Sequence, residues 1–461
     1  MGKRDDKPIR AHITTMGCPK NLVDSEAAAA VLYRAGCELT DDPSQADVLL
    51  VGACSFLDSS WIDTVEEVER LAAYKRDPGK RLVLMGCLPV HRDIDLQEAL
   101  PEVDHFVPTG AHERLEQLAG LWRSERAGEV AMPRQVRIVD GAGTDRFAAF
   151  VGRPLLTPPH TAYVKIAEGC NRRCSFCAIP AIRGRQVARP IPDVVREVEG
   201  MVERGVREVT LLSQDLLSYK DSGGGFTQLV GEVARTGVDW IRLFYLHPAG
   251  MSLDLVKRLF ECEAVVPYME MPIQHVADGL LARMRRSHDR AHLERLITGI
   301  RREFPAAVIR SEVIVGFPGE TDAHFEELLQ FISEIEFDSL GVFPYSREPG
   351  TEAQRFTDAI PEAEVRHRVE ELTAVQEAIS FGVQAAWVGK SLDILVDRRC
   401  RPDEQPAGGV AGRFYGQAPE IDGEVFVATP MAEIGEFIRV RITESGVFDL
   451  RGEPVSSSPV G

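Results

Sequence analysis

Six apolar runs recur between Thr161 and Pro344: TAYVKIA, EVTLLS, WIRLFYL, YMEMPI, AVIRSEVIV and SLGVFP. Helical segments such as PDVVREVEGMVERG and DAHFEELLQFISEI lie between them. Strands that are apolar on both faces and separated by helix-length segments pair in parallel. The region therefore predicts a (β/α)6 partial barrel of TIM-like type, with an open doubly wound sheet as the alternative.

A shorter alternation precedes it. IRAHITT, DVLLVGA and RLVLMG read as strands, with helices over about 24–35 and 61–74, giving a small parallel α/β domain. After Trp387 the pattern changes to short β-runs, SLDILVD, GEVFVAT and FIRVRIT, parted by Gly, Pro and Asp, as in a small all-β barrel or sandwich. A long charged helix, PEAEVRHRVEELTAVQEAISFGVQAAW, joins the two. The expected domains are 9–125, a linker at 126–159, the barrel at 160–385, the β-module at 386–455 and a disordered tail at 456–461. A chain of 461 residues is too long for one ordinary core, which agrees with this division. The start, MGKRDDKPIR, has no apolar stretch behind its basic residues, and no run is long enough to span a bilayer. A cytoplasmic protein with no membrane partner is expected.

EGCNRRCSFCAIP places Cys170, Cys174 and Cys177 in a C-x3-C-x2-C array directly after the first barrel strand. Nine cysteines, an odd number, argue against a disulfide framework and for metal or redox chemistry. Three thiolates in eight residues can wrap one face of a metal centre. Zinc is one reading, but a structural zinc site takes four ligands and no fourth Cys or His is adjacent. A [4Fe–4S] cluster on three cysteines keeps one iron open for a substrate or cofactor. With Phe176 just before the last cysteine, the array resembles the radical S-adenosylmethionine superfamily. That resemblance implies that the open iron binds S-adenosylmethionine, whose reductive cleavage yields a 5′-deoxyadenosyl radical, and that Phe176 lies near the adenine. IVGFPGE, Ile314 to Glu320, resembles the segment of that superfamily at the fifth strand, near the cofactor.

Cys18, Cys54 and Cys87 each stand just past the end of a parallel strand, in HITTMGC, LLVGAC and LVLMGC. In an open parallel sheet that edge is the ligand edge. A single cysteine there is most simply a buried hydrophobe, but three at equivalent positions point to a second three-cysteine site. Cys37, after a helix, reads as a buried thiol; Cys262 and Cys400 have no partners at ligand spacing.

This order of parts resembles the methylthiotransferases over roughly Arg10 to Arg451, and the terminal module is similar to their TRAM domain. GCPKNLVDSE and LGVFPYSREPGT resemble the branch that modifies a ribosomal protein. The resemblance implies two [4Fe–4S] clusters, an auxiliary one on Cys18, Cys54 and Cys87 and a radical-generating one on Cys170, Cys174 and Cys177. It implies S-adenosylmethionine as both methyl donor and radical source. The implied product is a methylthio group on the β-carbon of an aspartate of small-subunit ribosomal protein S12, free or within the ribosome, with an electron donor such as flavodoxin or ferredoxin. From Ala386 to Gly461 there are 8 Lys plus Arg and 12 Asp plus Glu, a net of −4. That suits a basic protein better than RNA, as does the whole-chain charge of −18. A transfer RNA methylthiotransferase and a non-catalytic zinc-stabilised binding protein are the alternatives.

Two places depart from the family pattern. Gly52-Ala53 stands where Asn-Thr is usual before the middle cysteine, and LPVHRD follows Cys87 in place of Arg-Tyr. Both bear on the surroundings of the auxiliary cluster rather than on its ligands. His247 and His275 lie near barrel strand ends, where a pocket role competes with a structural one. ARMRRSHDR reads as a solvated face, with substrate or RNA contact as the lesser reading.

Overall fold

In the computed structural model, residues 7–54, 58–75, 79–91, 95–129, 136–137 and 147–455 are described. The expected tail, residues 130–135 and 138–146 of the linker, and Arg92 and Asp93 of LPVHRD lie outside them. The chain forms two compact units. One comprises Met1–Leu156, Ala167–Gly200 and Ser346–Gln354; the other Thr157–Ile166, Met201–Tyr345 and Arg355–Gly461. The cysteine loop after the first barrel strand thus groups with the N-terminal sheet.

The first unit is built on parallel strands Arg10–Thr15, Val48–Ala53, Arg81–Gly86 and His105–Pro108, each beside the next. Two-residue strands Glu38–Leu39 and Val136–Arg137 close its edges. Val48–Ala53 is buried throughout, as the run VLLVGA requires of a central strand. Val68 and Leu71, from the helix Asp58–Ala72, pack with Leu49, Val51, Leu82, Leu84 and Phe106 in one apolar core. The register pairs Thr15 with Gly52, Gly52 with Met85 and Ala53 with Gly86, so the chain leaves three adjacent strands at one edge.

The first helix runs Pro19–Arg34 and so begins five residues before the expected Asp24. Cys18 is extended and caps it, and Pro19 takes the first helical position, where no N–H is needed and its fixed φ suits the turn. Asp24, Ser25 and Glu26, at the expected start, are instead buried one turn inside. Glu26 accepts from Arg153 at 2.7 Å, Arg153 also binds Glu197, and Glu197 binds Arg189 at 2.5 Å. Arg153, expected in a linker, is therefore fully enclosed.

In the second unit all six expected barrel strands form. They are Thr161–Lys165, Glu208–Leu212, Trp240–Leu243, Val265–Glu270, Val308–Val315 and Ser339–Pro344, in that order and all parallel, with the first and last as open edges. After the helix Glu362–Ala385, five strands close a small barrel: Ser391–Arg399, Val410–Arg413, Val425–Val427, Phe437–Ser445 and Leu450–Pro454. The second and fifth, VAGR and LRGEP, are too short and polar to give a period-two signal.

Buried charges tie this module to the starts of the parallel strands. Arg413 binds Glu208 at 2.8 Å and Asp397 at 2.7 Å, and Arg242 meets Glu208 at 2.8 Å. Arg310 and the Tyr268 hydroxyl converge on Asp422 at 2.8 and 2.7 Å. Burial alone would raise the Glu208 pKa, but Arg413 and Arg242 hold it below the usual carboxylate range. Among the described residues no helix is long and apolar enough to cross a membrane.

Candidate metal centre

Sheet register delivers Cys18, Cys54 and Cys87 to one edge of the first unit. Two local features then draw them together. Gly17 adopts φ +86°, and a Cβ there would come within 2.6 Å of the Cys54 Cβ and 2.9 Å of its Sγ, so the turn before Cys18 lies against Cys54. The Cys87 N–H donates to the Ala53 carbonyl at 3.1 Å, which ties the second and third strand ends.

Asn21 adds a clasp that sequence reasoning does not find. Its amide donates to the carbonyls of Met16 at 3.2 Å and Ala53 at 3.0 Å. Its Oδ1 stands 3.6 Å from the Cys87 Sγ, which donates to it. One buried side chain thus holds all three cysteine-bearing loops. Lys20, buried beside it, is likewise part of the site rather than of an outer surface.

The thiols differ in acidity. Burial works to raise the Cys18 pKa, but Lys20, Arg183 and the backbone N–H groups of Asn21 and Lys20 outweigh it, and the thiol is shifted down. Cys87 is pushed up to about 12, first by burial, with Cys18, Cys54 and Asp24 adding negative charge against the pull of Arg183. A metal on Cys87 must therefore displace a firmly held proton.

The second set sits in one loop of the same unit. The Cys170 N–H donates to Gly184 at 3.1 Å and Cys177 N–H to Cys174 at 3.2 Å. The Ser175 carbonyl accepts from Ala353 at 2.8 Å, so a distant segment pins the loop between Cys174 and Cys177. Cys170 is buried; Cys174, Phe176 and Cys177 are half-buried. The loop feeds a short helix, Ile179–Arg183, and Ala178 and Ile182 pack directly on Cys87. The two cysteine sets, about 80 residues apart in sequence, thereby share one apolar contact.

Arg183, at the end of that helix, reaches back across the contact. Its guanidinium donates to Asp24 at 3.0 Å, Glu168 at 2.8 Å, Asn21 at 2.7 Å and the Cys87 Sγ at 3.1 Å. Nothing in the sequence singles it out from neighbouring arginines; only burial does.

The remaining candidates resolve into structural roles. Cys37 is buried, which raises its pKa, as a core thiol should be. Cys262 and Cys400 are half-buried. His275 is fully enclosed and accepts from the N–H groups of Val276 and Ala277 at 2.9 and 3.0 Å; burial lowers its pKa to about 3, so it is a neutral backbone acceptor. His247 caps a single turn by accepting from Ala249 at 3.2 Å. ARMRRSHDR is not simply a solvated face, because Arg283 pairs with Asp358 at 2.5 Å, Arg286 donates to the Pro272 carbonyl at 2.6 Å, and Arg290 pairs with Glu294 at 2.7 Å. In IVGFPGE, Glu320 accepts from Gly316 N–H and from Arg368, both at 2.8 Å.

Among the described residues, no group of Cys, His, Asp and Glu side chains is drawn together tightly enough to hold one metal ion. A [4Fe–4S] cluster asks for something different, since each cysteine meets its own iron and the thiols stand wider apart. Two sets of three sulfur donors, most of them sheltered and one flanked by an arginine and an asparagine, fit that chemistry.

Comparison with known proteins gives the same parts. The pattern of the radical SAM superfamily matches residues 164–332, that of the uncharacterized protein family UPF0004 matches 10–108, and that of the TRAM domain matches 388–455. The chain is 40% identical over 464 residues to the ribosomal protein uS12 methylthiotransferase RimO of Sorangium cellulosum, covering 98% of this chain and 92% of that protein. It is 38% identical to the protein of the same name from Geotalea uraniireducens, over 97% of this chain and 98% of the relative. Among solved structures, the radical S-adenosylmethionine methyltransferase TsrM from Kitasatospora setae, with cobalamin and a [4Fe–4S] cluster bound, superposes with a TM-score of 0.53. That match covers 75% of this chain and 77% of the other at 15% identity, a likeness of fold.

Proposed function

The chain belongs to the ribosomal protein uS12 methylthiotransferase family of radical S-adenosylmethionine enzymes, and on that premise we propose that it works with two [4Fe–4S] clusters. One is held by Cys18, Cys54 and Cys87, the other by Cys170, Cys174 and Cys177. The reaction converts a C–H bond on the β-carbon of an aspartate of uS12 to C–S–CH3, with a one-electron donor of the flavodoxin or ferredoxin type. The domain plan of 9–125, 160–385 and 386–455 belongs to the same proposal, supported by the family matches at 10–108, 164–332 and 388–455.

The observation that carries it is the gathering of three strand-end cysteines in one compact unit with the three-cysteine loop. When bound, an iron–sulfur centre with an open iron and S-adenosylmethionine supply a radical able to take hydrogen from an unactivated carbon and a methylated sulfur to place there. The chain's own residues do the rest. Asn21 clasps the three strand ends, and the Ala178 and Ile182 contact holds the second loop against Cys87. Cys54, Cys87 and Cys170 are sheltered from water, which protects reactive species from quenching. Phe176, half-buried beside Cys177, is proposed to flank the adenine.

A protein target rather than RNA is supported by the terminal module. Of its basic side chains, Arg398, Arg401, Arg413, Arg439 and Arg451 are already paired with carboxylates, within a net charge of −4. Phosphate binding needs free basic groups.

Anaerobic reconstitution tests the metal content, with about eight irons per chain expected for two clusters. About four, or stoichiometric zinc, sinks the two-cluster reading. Mass spectrometry of uS12 and of transfer RNA from a deletion strain tests the target. A missing methylthio group on uS12 with unchanged RNA supports it; a change confined to transfer RNA overturns it.

A further inference from the structure

We propose that Arg183 is a positioning residue that locks the two cysteine sets to one another and supplies the positive charge next to a cluster held by Cys87. This rests on the two-cluster reading above. The four partners of the guanidinium come from separate parts of the unit. Asn21 and Asp24 lie on the helix that follows Cys18, Cys87 is itself a proposed ligand, and Glu168 stands two residues before Cys170. Arg183 follows Cys177 by six residues. The helix after Cys18, the Cys87 thiol and the strand before Cys170 therefore meet at one side chain, and that side chain is buried, only 1% exposed.

A link of this kind is an expensive way to obtain stability alone. Taking a guanidinium and two carboxylates out of water costs more than packing apolar groups of the same volume. Around Cys87 apolar packing is already present in Ala178 and Ile182. What the arginine adds is a fixed charge and a planar fork that addresses four acceptors at once, which lysine cannot match. Hydrogen bonds to ligand sulfur and net charge nearby are what set the potential of an iron–sulfur centre. Arg183 is thus placed to hold the auxiliary cluster at a higher potential than its two carboxylate neighbours would allow, and to keep its distance from the radical centre constant.

The test separates charge from geometry. In a Cys174→Ala background, which leaves only the auxiliary cluster, potentiometric EPR titration compares Arg183, Arg183→Gln and Arg183→Lys after anaerobic reconstitution. The expected result is a lower potential for Arg183→Gln and a near-normal one for Arg183→Lys. In the otherwise intact chain, both variants should raise the ratio of 5′-deoxyadenosine formed to methylthiolated uS12 several-fold. Glu168→Gln, which removes one of the two carboxylates and loosens the tie to the Cys170 loop, should raise that ratio and shift the potential upward, opposite in sign to Arg183→Gln. If Arg183→Gln fails to take up iron, Arg183→Lys and Glu168→Gln decide alone. An unchanged potential together with an unchanged ratio overturns the proposal. Failure of the unsubstituted protein to methylthiolate uS12 overturns the functional reading instead, and the EPR comparison still stands or falls by itself.

Discussion

Two cysteine triads share one unit, and they are made in opposite ways. Cys170, Cys174 and Cys177 fall within eight residues, so chain connectivity alone keeps them together. Cys18, Cys54 and Cys87 are 36 and 33 residues apart and are brought to one edge by three parallel strands that end in register. The local set needs a loop; the distributed set needs a fold. The entropy of bringing distant segments together is carried by the whole sheet, so the distributed set should respond to substitutions that never touch a sulfur.

The largest expected effects separate the sets by chemistry. Cys54→Ala should abolish methylthiolation of uS12 while some reductive cleavage of S-adenosylmethionine persists, and bound iron should fall from about eight to about four per chain. Cys174→Ala should lose both reactions with a similar fall in iron. Methylthiolation at the unsubstituted rate by the Cys54 variant would remove the second cluster from consideration.

Next in size is the effect of the clasp. Asn21→Ala removes the amide shared by Met16, Ala53, Cys87 and Arg183, leaving buried carbonyls and a buried guanidinium without it. The cost should be about 2–3 kcal/mol in unfolding free energy, with iron lost selectively from the auxiliary set. Asn171→Ala in the local loop is the matched control. Asn171 accepts from the Gln186 N–H at 3.2 Å in an exposed contact, so thermal unfolding and iron content should hardly change. Equal iron loss in the two variants would mean that the distributed set is no more dependent on its surroundings than the local one.

The same contrast explains what could be read beforehand. The six parallel strands and the β character of the terminal module follow from apolar periodicity, and both were legible. Strand order and the closure of the terminal barrel, two of whose strands are short and polar, were not. The local triad was legible from spacing, and the distributed one from the equivalence of HITTMGC, LLVGAC and LVLMGC. What joins them was not. Asn21 and Asp24 look like ordinary polar residues opening a helix, and Arg183 is one arginine among several in its loop. Their roles depend on burial and on partners up to 162 residues away, which no local pattern encodes. The helix start at Pro19 is hidden for the same reason, because the partners that bury Asp24 and Glu26, Arg183 and Arg153, lie far along the chain.

The smallest expected effect concerns the unusual Gly52 before Ala53 and Cys54. A Cβ at Gly52 would stand 2.4 Å from the Ser25 Oγ, on the helix that Cys18 caps. Ser25 is fully buried, so it has little room to yield. The glycine is therefore matched to the serine, and the departure from the family pattern is a packing solution within the distributed set. Gly52→Ala should destabilise by about 1–2 kcal/mol through overpacking. Ser25→Ala, which removes the clashing oxygen, should recover most of that in the double variant. A denaturant double-mutant cycle measures the coupling directly. Simple additivity of the two substitutions would mean that the strand and helix adjust independently, and the distributed triad would then tolerate far more drift at its edge than its shared clasp suggests.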